Sequence, residues 1–193
     1  MPFLPHFTAP AQVRNSQNVF DDYIAAAEYL CQQKMTDAQH LAIMGRSNGG
    51  LLIGAVITQR PELFRAAVCG VPLLDMVRYH KFLIARLWIP EYGSADDADE
   101  FKWLLAYSPY HHVKKNVRYP ATLFTAALSD SRVDPLHARK MTAALQAASG
   151  WAEPILLRQE DKAGHGSGKP RSQVLAEEVD TWCFIFRALG MQP

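Results

Sequence analysis

The stretch Leu41-Ala42-Ile43-Met44-Gly45-Arg46-Ser47-Asn48-Gly49-Gly50 decides how this chain folds. Leu41 to Met44 is a short apolar run, which predicts a buried strand. An apolar run of helical character follows from Leu51 to Arg60. Between the two runs, Gly45 to Gly49 matches the G-x-S-x-G pattern, whose required context is a strand, a sharp turn and a helix. The stretch therefore predicts a strained turn that lifts Ser47 clear of a sheet.

The residues on either side of Ser47 fit such a turn. Gly45 and Gly49 are expected where a β-carbon would collide with the neighbouring backbone. The helix that begins after Ser47 would direct its free N–H groups and the positive end of its dipole at the serine hydroxyl. A tight turn with an incidental serine is the alternative, because a bare G-x-S-x-G pattern occurs often by chance.

The composition is that of an ordinary globular chain. Its 193 residues are enough for one domain, and a formal net charge of +1 gives no sign of a nucleic-acid partner. No apolar run approaches the roughly 18 residues of a membrane span, and residues 1–7 lack the pattern of a signal peptide. Cys31, Cys69 and Cys183 are widely spaced, so we expect isolated buried thiols rather than a metal site. These features predict a soluble, cytoplasmic protein that binds neither nucleic acid nor a membrane.

Strands alternate with helices along the chain. Residues 1–14 hold three prolines and predict a loose arm, and residues 15–193 would form the domain. Periodicity predicts helices over Asn18–Lys34, Leu51–Arg60, Pro135–Ser149 and Gln173–Leu189, and strands over Leu41–Met44, Ala66–Leu74, Ala121–Leu128 and Pro154–Arg158. The alternation predicts an α/β fold with a mainly parallel sheet and helices on both faces.

Two segments carry further expectations. Residues 75–112 are aromatic-rich and too long for a structureless loop, so we expect helices there. The final helix has an apolar side that should face the core. Its members are Val174, Leu175, Val179, Trp182, Ile185 and Phe186.

A serine nucleophile needs a base within hydrogen-bond reach and a carboxylate that orients the base. The loop after the third predicted strand contains Asp130 and Asp134, and the loop after the fourth contains Asp161 and His165. Loops at the carboxyl ends of parallel strands share one rim, and the order Ser, Asp, His is that of α/β-hydrolases. The residues predict Ser47 as nucleophile, His165 as base and Asp130 as orienting carboxylate, with Asp134 as its rival.

The other six histidines are expected to be structural or at the surface. His111 and His112 lie beside Lys114 and Lys115, which predicts a solvated basic segment. They lack a carboxylate at the spacing of metal ligands.

A series of short motifs follows along the chain. They are Asn18-Val19-Phe20-Asp21-Asp22, Gly45-Arg46-Ser47-Asn48-Gly49-Gly50, Arg60-Pro61-Glu62-Leu63-Phe64, Glu91-Tyr92-Gly93, Tyr107-Ser108-Pro109, Asp130-Ser131-Arg132-Val133 with Pro135-Leu136-His137, and Ala163-Gly164-His165-Gly166. In this order the motifs resemble the prolyl oligopeptidase family of serine peptidases, from about Asn15 to Leu189. The resemblance implies part of an α/β-hydrolase fold, with Asp130 as the triad aspartate and the backbone N–H of Asn48 as an oxyanion donor.

The resemblance also implies a substrate pocket. Arg132 matches an arginine that hydrogen-bonds a substrate carbonyl, and Trp88 matches a tryptophan that stacks on the proline ring before the scissile bond. Tyr92, Val133 and Leu73 would line the same pocket. A flat indole suits an apolar ring, and a guanidinium supplies fixed donors. The implied reaction is hydrolysis of short proline-containing peptides after proline, with no cofactor and no metal.

The chain departs from the family pattern in several places. Arg46 stands where the family usually has a glycine, and Ser131 where it has an aspartate. The sequence shows neither the family's β-propeller nor the first strands of its sheet, which carry a tyrosine of the oxyanion hole. We therefore expect a sheet edge that is exposed in the isolated chain and that a complementary chain or an oligomer would cover. Two alternatives stay open: a general esterase, and a catalytically silent remnant that binds or docks to a partner chain.

Overall fold

The computed structural model describes residues 16–161, 164–166 and 169–191, so the arm predicted over residues 1–14 lies outside the described residues. The described part contains α1 (Ser16–Gln32), β1 (Ala42–Arg46), α2 (Asn48–Gln59), β2 (Ala66–Gly70), α3 (Ile89–Tyr92), α4 (Ala98–Tyr107), β3 (Ala121–Ala127), α5 (Leu136–Ala148), β4 (Ile155–Glu160) and α6 (Arg171–Ala188). Short 3₁₀ turns cover Pro61–Leu63, Tyr79–Lys81, Ala85–Trp88 and Pro109–His112.

The four strands form one parallel sheet in the order β1-β2-β3-β4. Every residue of β2 and of β3 is buried, which explains why these two strands are continuous apolar runs in the sequence. β1 and β4 are the edges of the described sheet. The predicted α/β fold with a parallel sheet is confirmed.

Helices pack on both faces of this sheet. On the face covered by α2 and α5, Cys69 and Phe124 join the largest core cluster together with Ile53 of α2. On the opposite face, Val68 packs with Ile185 of α6. The alternation of side chains along β2 therefore supplies both cores, because successive residues of a strand point to opposite faces.

The second strand is shorter than predicted. It ends at Gly70, not at Leu74, because Val71 takes a positive φ of 38° and Pro72 has no N–H to donate to a neighbouring strand. The Val71 N–H still donates to the carbonyl of Thr125 on β3, at 2.9 Å. After this bond the chain leaves the sheet for the segment 75–112, where the helices that we predicted are present as α3 and α4.

The orientation predicted for the final helix is wrong over most of its length. The side chains of Val174, Leu175, Val179 and Trp182 are between 43% and 64% exposed. Only the last turns of α6 pack apolar side chains against the sheet, through Ile185 and its neighbours. Helical periodicity identifies the apolar side of a helix, but it carries no information on how far the facing surface extends.

Apolar side chains are also exposed at both edges of the sheet. Met44 on β1 and Leu156 on β4 are 50% and 47% exposed. The parallel register places them in line with Val68 and Leu123, which α6 covers. The expected exposed apolar surface beside the nucleophile strand is therefore present, since α6 shields only the two central strands.

The three cysteines are free thiols, as expected, but only Cys69 is buried. Cys31 is half-buried and Cys183 is exposed. None of the helices within the described ranges is both long and apolar enough to cross a membrane.

Candidate active site

The turn between β1 and α2 is strained at Ser47. Its φ of 58° and ψ of −119° lie in a region that non-glycine residues rarely adopt. The Ser47 N–H donates to the carbonyl of Gly70 on β2 at 2.8 Å, and its carbonyl accepts from the N–H groups of Gly50 and Leu51. These backbone bonds hold the serine between the sheet and the start of α2, as the G-x-S-x-G pattern predicts.

Two glycines allow this turn to pack closely. A β-carbon on Gly45 would lie 2.3 Å from the carbonyl oxygen of Gly49, so only glycine fits there. The same expectation for Gly49 is wrong, because a β-carbon on that residue would have no atom within 4 Å. Gly50 is the second restricted position, where a β-carbon would lie 2.7 Å from Cβ of Pro72. The close approach is thus between α2 and the loop after β2.

The loops after β1, β3 and β4 bring three side chains together at the carboxyl ends of the strands. The Nε2 atom of His165 lies 2.9 Å from Oγ of Ser47. Its Nδ1 atom lies 2.7 Å from Oδ2 of Asp130. The imidazole therefore bridges the hydroxyl and the carboxylate, in the arrangement that proton transfer from a serine requires.

The Asp130 carboxylate is buried and held by backbone donors. Its Oδ1 atom accepts the N–H groups of Arg132 at 2.8 Å and of Val133 at 2.9 Å. Its other oxygen is left to face His165. Two backbone donors of its own loop thus orient the carboxylate toward His165.

Asp134, the rival of Asp130, and Asp161 make other contacts. Oδ1 of Asp134 accepts the N–H of Leu136 at 2.9 Å and so satisfies a free donor at the start of α5. Asp161 accepts from the side-chain amide of Gln159 at 3.3 Å. Neither is hydrogen-bonded to His165 in the part of the chain that the structure describes.

Asn48 opens α2 immediately after the serine. The N–H groups of a first helical turn have no acceptor within the helix, so the Asn48 N–H can donate to an oxyanion beside Ser47. The Asn48 side chain accepts a hydrogen bond from the hydroxyl of Tyr92, at 2.9 Å. Burial raises the pKa of Tyr92, which keeps its phenol neutral and able to donate.

A cavity of about 120 Å³ opens beside Ser47. Its lining consists of Ser47, Asn48, Leu73, Trp88, Glu91, Tyr92 and Arg132. The Arg132 guanidinium carbon lies 6.0 Å from the centre of the Trp88 ring, within range of a cation–π contact. An aromatic wall and a cation thus face the same space next to the hydroxyl.

One predicted pocket residue lies elsewhere. Val133 is not part of the cavity lining; its side chain is buried in the main core, and its backbone N–H binds Asp130. The Val133 side chain points inward because the Val133 N–H is directed at the Asp130 carboxylate. Conversely, Glu91 lines the cavity without having been singled out, although it stands next to Tyr92 in a motif of the resemblance.

The basic segment predicted around His111 and His112 lies at the surface, with His111, Lys114 and Lys115 exposed and His112 half-buried, and both histidines also contact Ser108. Nδ1 of His111 lies 2.9 Å from Oγ of Ser108, and Nδ1 of His112 lies 3.0 Å from the Ser108 carbonyl. Partial desolvation of its ring lowers the pKa of His111. Within the described residues, no three His, Cys, Asp or Glu side chains are grouped so that they could hold a metal ion.

His137 is the most buried histidine of the described chain. Its Nδ1 atom accepts the backbone N–H of Asp75 at 3.1 Å. Burial lowers the pKa of His137 to about 4, so the ring is neutral at physiological pH. His137 thus supports the loop after β2, and Leu73 of the same loop lines the cavity beside Ser47.

A model of the prolyl oligopeptidase family matches residues 6–192, almost the whole chain. The chain belongs to the prolyl oligopeptidase family. This membership agrees with the resemblance carried by the sequence motifs and with the α/β-hydrolase-like arrangement of the three loops.

Named relatives and solved structures agree with this membership. A prolyl endopeptidase from Elizabethkingia meningoseptica is 45% identical over 177 residues, which are 91% of this chain and 25% of the relative. One from Dictyostelium discoideum is 40% identical over 182 residues, 93% of this chain and 24% of the relative. This chain therefore spans about a quarter of the length of these relatives.

Two solved structures have the same fold over this region. One comes from a study of two prolyl endopeptidases and the role of inter-domain dynamics in their catalysis and specificity. It has a TM-score of 0.92 and 56% identity, and covers 94% of this chain and 27% of its own. Prolyl oligopeptidase B from Galerina marginata, bound to a 35mer hydrolysis and macrocyclization substrate, has a TM-score of 0.88 and 38% identity, with 94% and 26% covered.

Proposed function

We propose that this chain is a serine-type peptidase of the prolyl oligopeptidase family that hydrolyses peptide bonds after proline through an acyl-enzyme on Ser47. The observation that carries the proposal is the bridging imidazole, with Nε2 2.9 Å from Ser47 Oγ and Nδ1 2.7 Å from Asp130 Oδ2. A hydroxyl becomes a nucleophile when an oriented base can accept its proton, and this geometry provides both base and orientation.

In the first half of the proposed reaction, Nε2 of His165 accepts the Ser47 proton while Oγ attacks the carbonyl carbon of the substrate. The Asn48 N–H donates to the oxygen on which negative charge develops. The imidazolium then gives its proton to the leaving amine as the C–N bond breaks. In the second half, water attacks the ester, His165 takes the water proton and returns it to Oγ, and the acid product leaves.

Asp130 has two roles in this scheme. Its carboxylate holds the imidazole in the tautomer that has the proton on Nδ1, and it stabilises the imidazolium that forms. The backbone N–H groups of Arg132 and Val133 keep the carboxylate in place. Because Asp130 is buried, its charge acts on the imidazole with little screening by water.

The preference for proline is supported by the cavity beside Ser47. The Trp88 ring offers a flat apolar wall to a proline ring, and Leu73 and Tyr92 provide further apolar contacts. Arg132 can donate to a carbonyl of the substrate backbone, since its guanidinium lies at the edge of the same space. Both relatives are named prolyl endopeptidases, which supports a proline-containing peptide as the substrate.

The proposal is tested with a fluorophosphonate probe and two substrates. The probe should label the wild-type chain but not Ser47→Ala, and a chromogenic proline peptide should be cleaved by the wild type. Trp88→Ala should lose activity on this peptide and keep activity on a short-chain nitrophenyl ester. Turnover of the ester alone, unaffected by Trp88→Ala, would favour a general esterase, and a folded chain that the probe does not label would be a silent remnant.

A partner and a compartment complete the proposal. The exposed apolar side chains of Met44, Leu156, Val179 and Trp182 support a complementary chain or a second copy that covers them. Sedimentation of the purified chain would detect a second copy, and the substitution of Trp182 by Glu should weaken such an assembly.

The exposed free thiol of Cys183 is compatible with the reducing conditions of the cytoplasm.

A further inference from the structure

Few hydrogen bonds hold the described residues of the loop that carries His165. Its described residues are 161, 164–166, 169 and 170, between β4 and α6. Among the described residues, the backbone of 164–166 has one hydrogen bond, in which Nη2 of Arg46 donates to the His165 carbonyl at 3.0 Å. The imidazole depends on this loop for its position, because no strand or helix contains the residue.

Arg46 is itself fixed at both ends. It is the last residue of β1 and lies beside Gly70 in the sheet, where a β-carbon would come 3.3 Å from Cγ of Arg46. The absence of a side chain on Gly70 thus leaves room for the arginine stem along β2. At the far end, Nη1 of Arg46 donates to Oε1 of Glu177 on α6, at 3.1 Å.

Glu177 connects the arginine to the second end of the loop. Its other carboxylate oxygen forms an ion pair with Lys169, and both side chains of this pair are largely buried. Burial alone would raise the pKa of Glu177, but Lys169 and Arg46 hold it below its usual range. The carboxylate is therefore charged at neutral pH and can hold Arg46 and Lys169 together.

We propose that Arg46 is a positioning residue that sets the distance between His165 and Ser47, an inference that rests on the proposed function. Arg46 precedes Ser47 in the chain, so its guanidinium ties the base to the same strand end that carries the nucleophile. The planar guanidinium donates from two fixed N–H groups, one to the loop and one to α6. The distance between His165 and Ser47 then stays constant when the end of β1 moves.

The size of the effect follows from the geometry of the proton transfer. A displacement of about 1 Å between reacting groups can lower a rate by about 100-fold. Loss of the only described backbone bond to residues 164–166 should therefore lower kcat about 10-fold to 100-fold. The KM should stay within about twofold, because Arg46 does not line the cavity beside Ser47.

The experiment compares three variants of the purified chain. Arg46→Met keeps the apolar stem along Gly70 and removes every donor. Arg46→Lys restores one donor and should recover part of the lost kcat. Arg158→Met is the matched control, because Arg158 forms a 2.7 Å ion pair with Asp180 of the same helix and has no hydrogen bond or ion pair to residues 164–166. The control should keep kcat within about twofold of the wild type.

A second measurement does not depend on turnover. The proton between Nδ1 of His165 and Asp130 should give a far-downfield proton NMR resonance in the wild type and in Arg158→Met. It should broaden or disappear in Arg46→Met, because a mobile loop exposes this proton to exchange with water. Thermal unfolding of all variants verifies that each is folded.

Three outcomes would overturn the inference. One is an Arg46→Met chain with unchanged kcat and an unchanged resonance. Another is a loss of kcat in Arg158→Met as large as that in Arg46→Met, which would indicate that any lost ion pair between the sheet and α6 lowers kcat. The third is a folded wild type without the resonance, since the premise is a fixed imidazole. A wild type that shows the resonance but does not react with the serine probe would instead refute the proposed function, and the resonance in Arg46→Met would still decide the role of Arg46.

Discussion

The substitution Asp130→Asn should remove the base without disturbing the fold. An amide has one accepting oxygen and one donating NH₂ group. The N–H groups of Arg132 and Val133 both point at the Oδ1 position, so the amide oxygen must occupy it. The NH₂ group then faces Nδ1 of His165 at the position that Oδ2 now takes, 2.7 Å away.

This exchange of atoms changes the tautomer of the imidazole. Facing a donor, Nδ1 of His165 must accept, and the ring proton moves to Nε2. An Nε2–H cannot take the proton of Ser47, from which it is 2.9 Å away. In serine peptidases the loss of the carboxylate in this way lowers kcat by about 10⁴, which corresponds to about 5 kcal/mol of transition-state stabilisation.

The assay is the rate of acylation by a fluorophosphonate probe, together with kcat on a proline peptide. Asp134→Asn is the matched control, because the Asp134 carboxylate binds the N–H of Leu136 and does not contact His165. It should stay within about twofold of the wild type. An active Asp130→Asn chain beside an inactive Asp134→Asn chain would refute the reasoning. Comparable thermal unfolding of the two variants would exclude a difference in folding.

Three further predictions concern the pocket and the stability. Trp88→Ala should raise KM for a proline peptide about 10-fold or more, measured by steady-state kinetics, because the apolar wall of the cavity is removed. Gly45→Ala should destabilise the fold by about 1–3 kcal/mol or more in urea unfolding, whereas Gly49→Ala should not, since only the first β-carbon meets backbone at 2.3 Å. Burial lowers the pKa of His137 from 6.5 to about 4. Between these two pH values mainly the unfolded chain binds the proton, so the free energy of unfolding is highest above pH 6.5 and falls as the pH drops toward 4. Urea unfolding at several pH values should show that the free energy of unfolding of His137→Gln decreases over this range by about 3 kcal/mol less than that of the wild type.

The features that the sequence predicted well are those with a local physical cause. The apolar runs of β2 and β3 mark central strands, because parallel strands covered on both faces need no polar side. The turn at Ser47 is recognisable because it needs a glycine at position 45 and a helix directly after it. The loops with Asp130 and His165 follow strands, and the carboxyl ends of parallel strands share a rim.

The predictions that failed concern surfaces made by distant parts of the chain. The apolar side of α6 is correct as a pattern, but most of it faces solvent, since only the last turns pack apolar side chains against the sheet. Val133 lies in the core rather than in the cavity, because its backbone N–H binds Asp130. The end of β2 depends on the positive φ of Val71, which no periodicity encodes.

The sequence by itself determined the strand, turn and helix around Ser47, the alternation of strands with helices, and the candidate side chains for the site. These follow from residue type and spacing within one short segment at a time. Only the tertiary structure decided which carboxylate meets His165, which side chains line the cavity, and that Arg46 reaches a carbonyl 119 positions further along the chain. Such contacts depend on the register of the sheet and on the path of its loops, because both set distances between atoms that are remote in sequence.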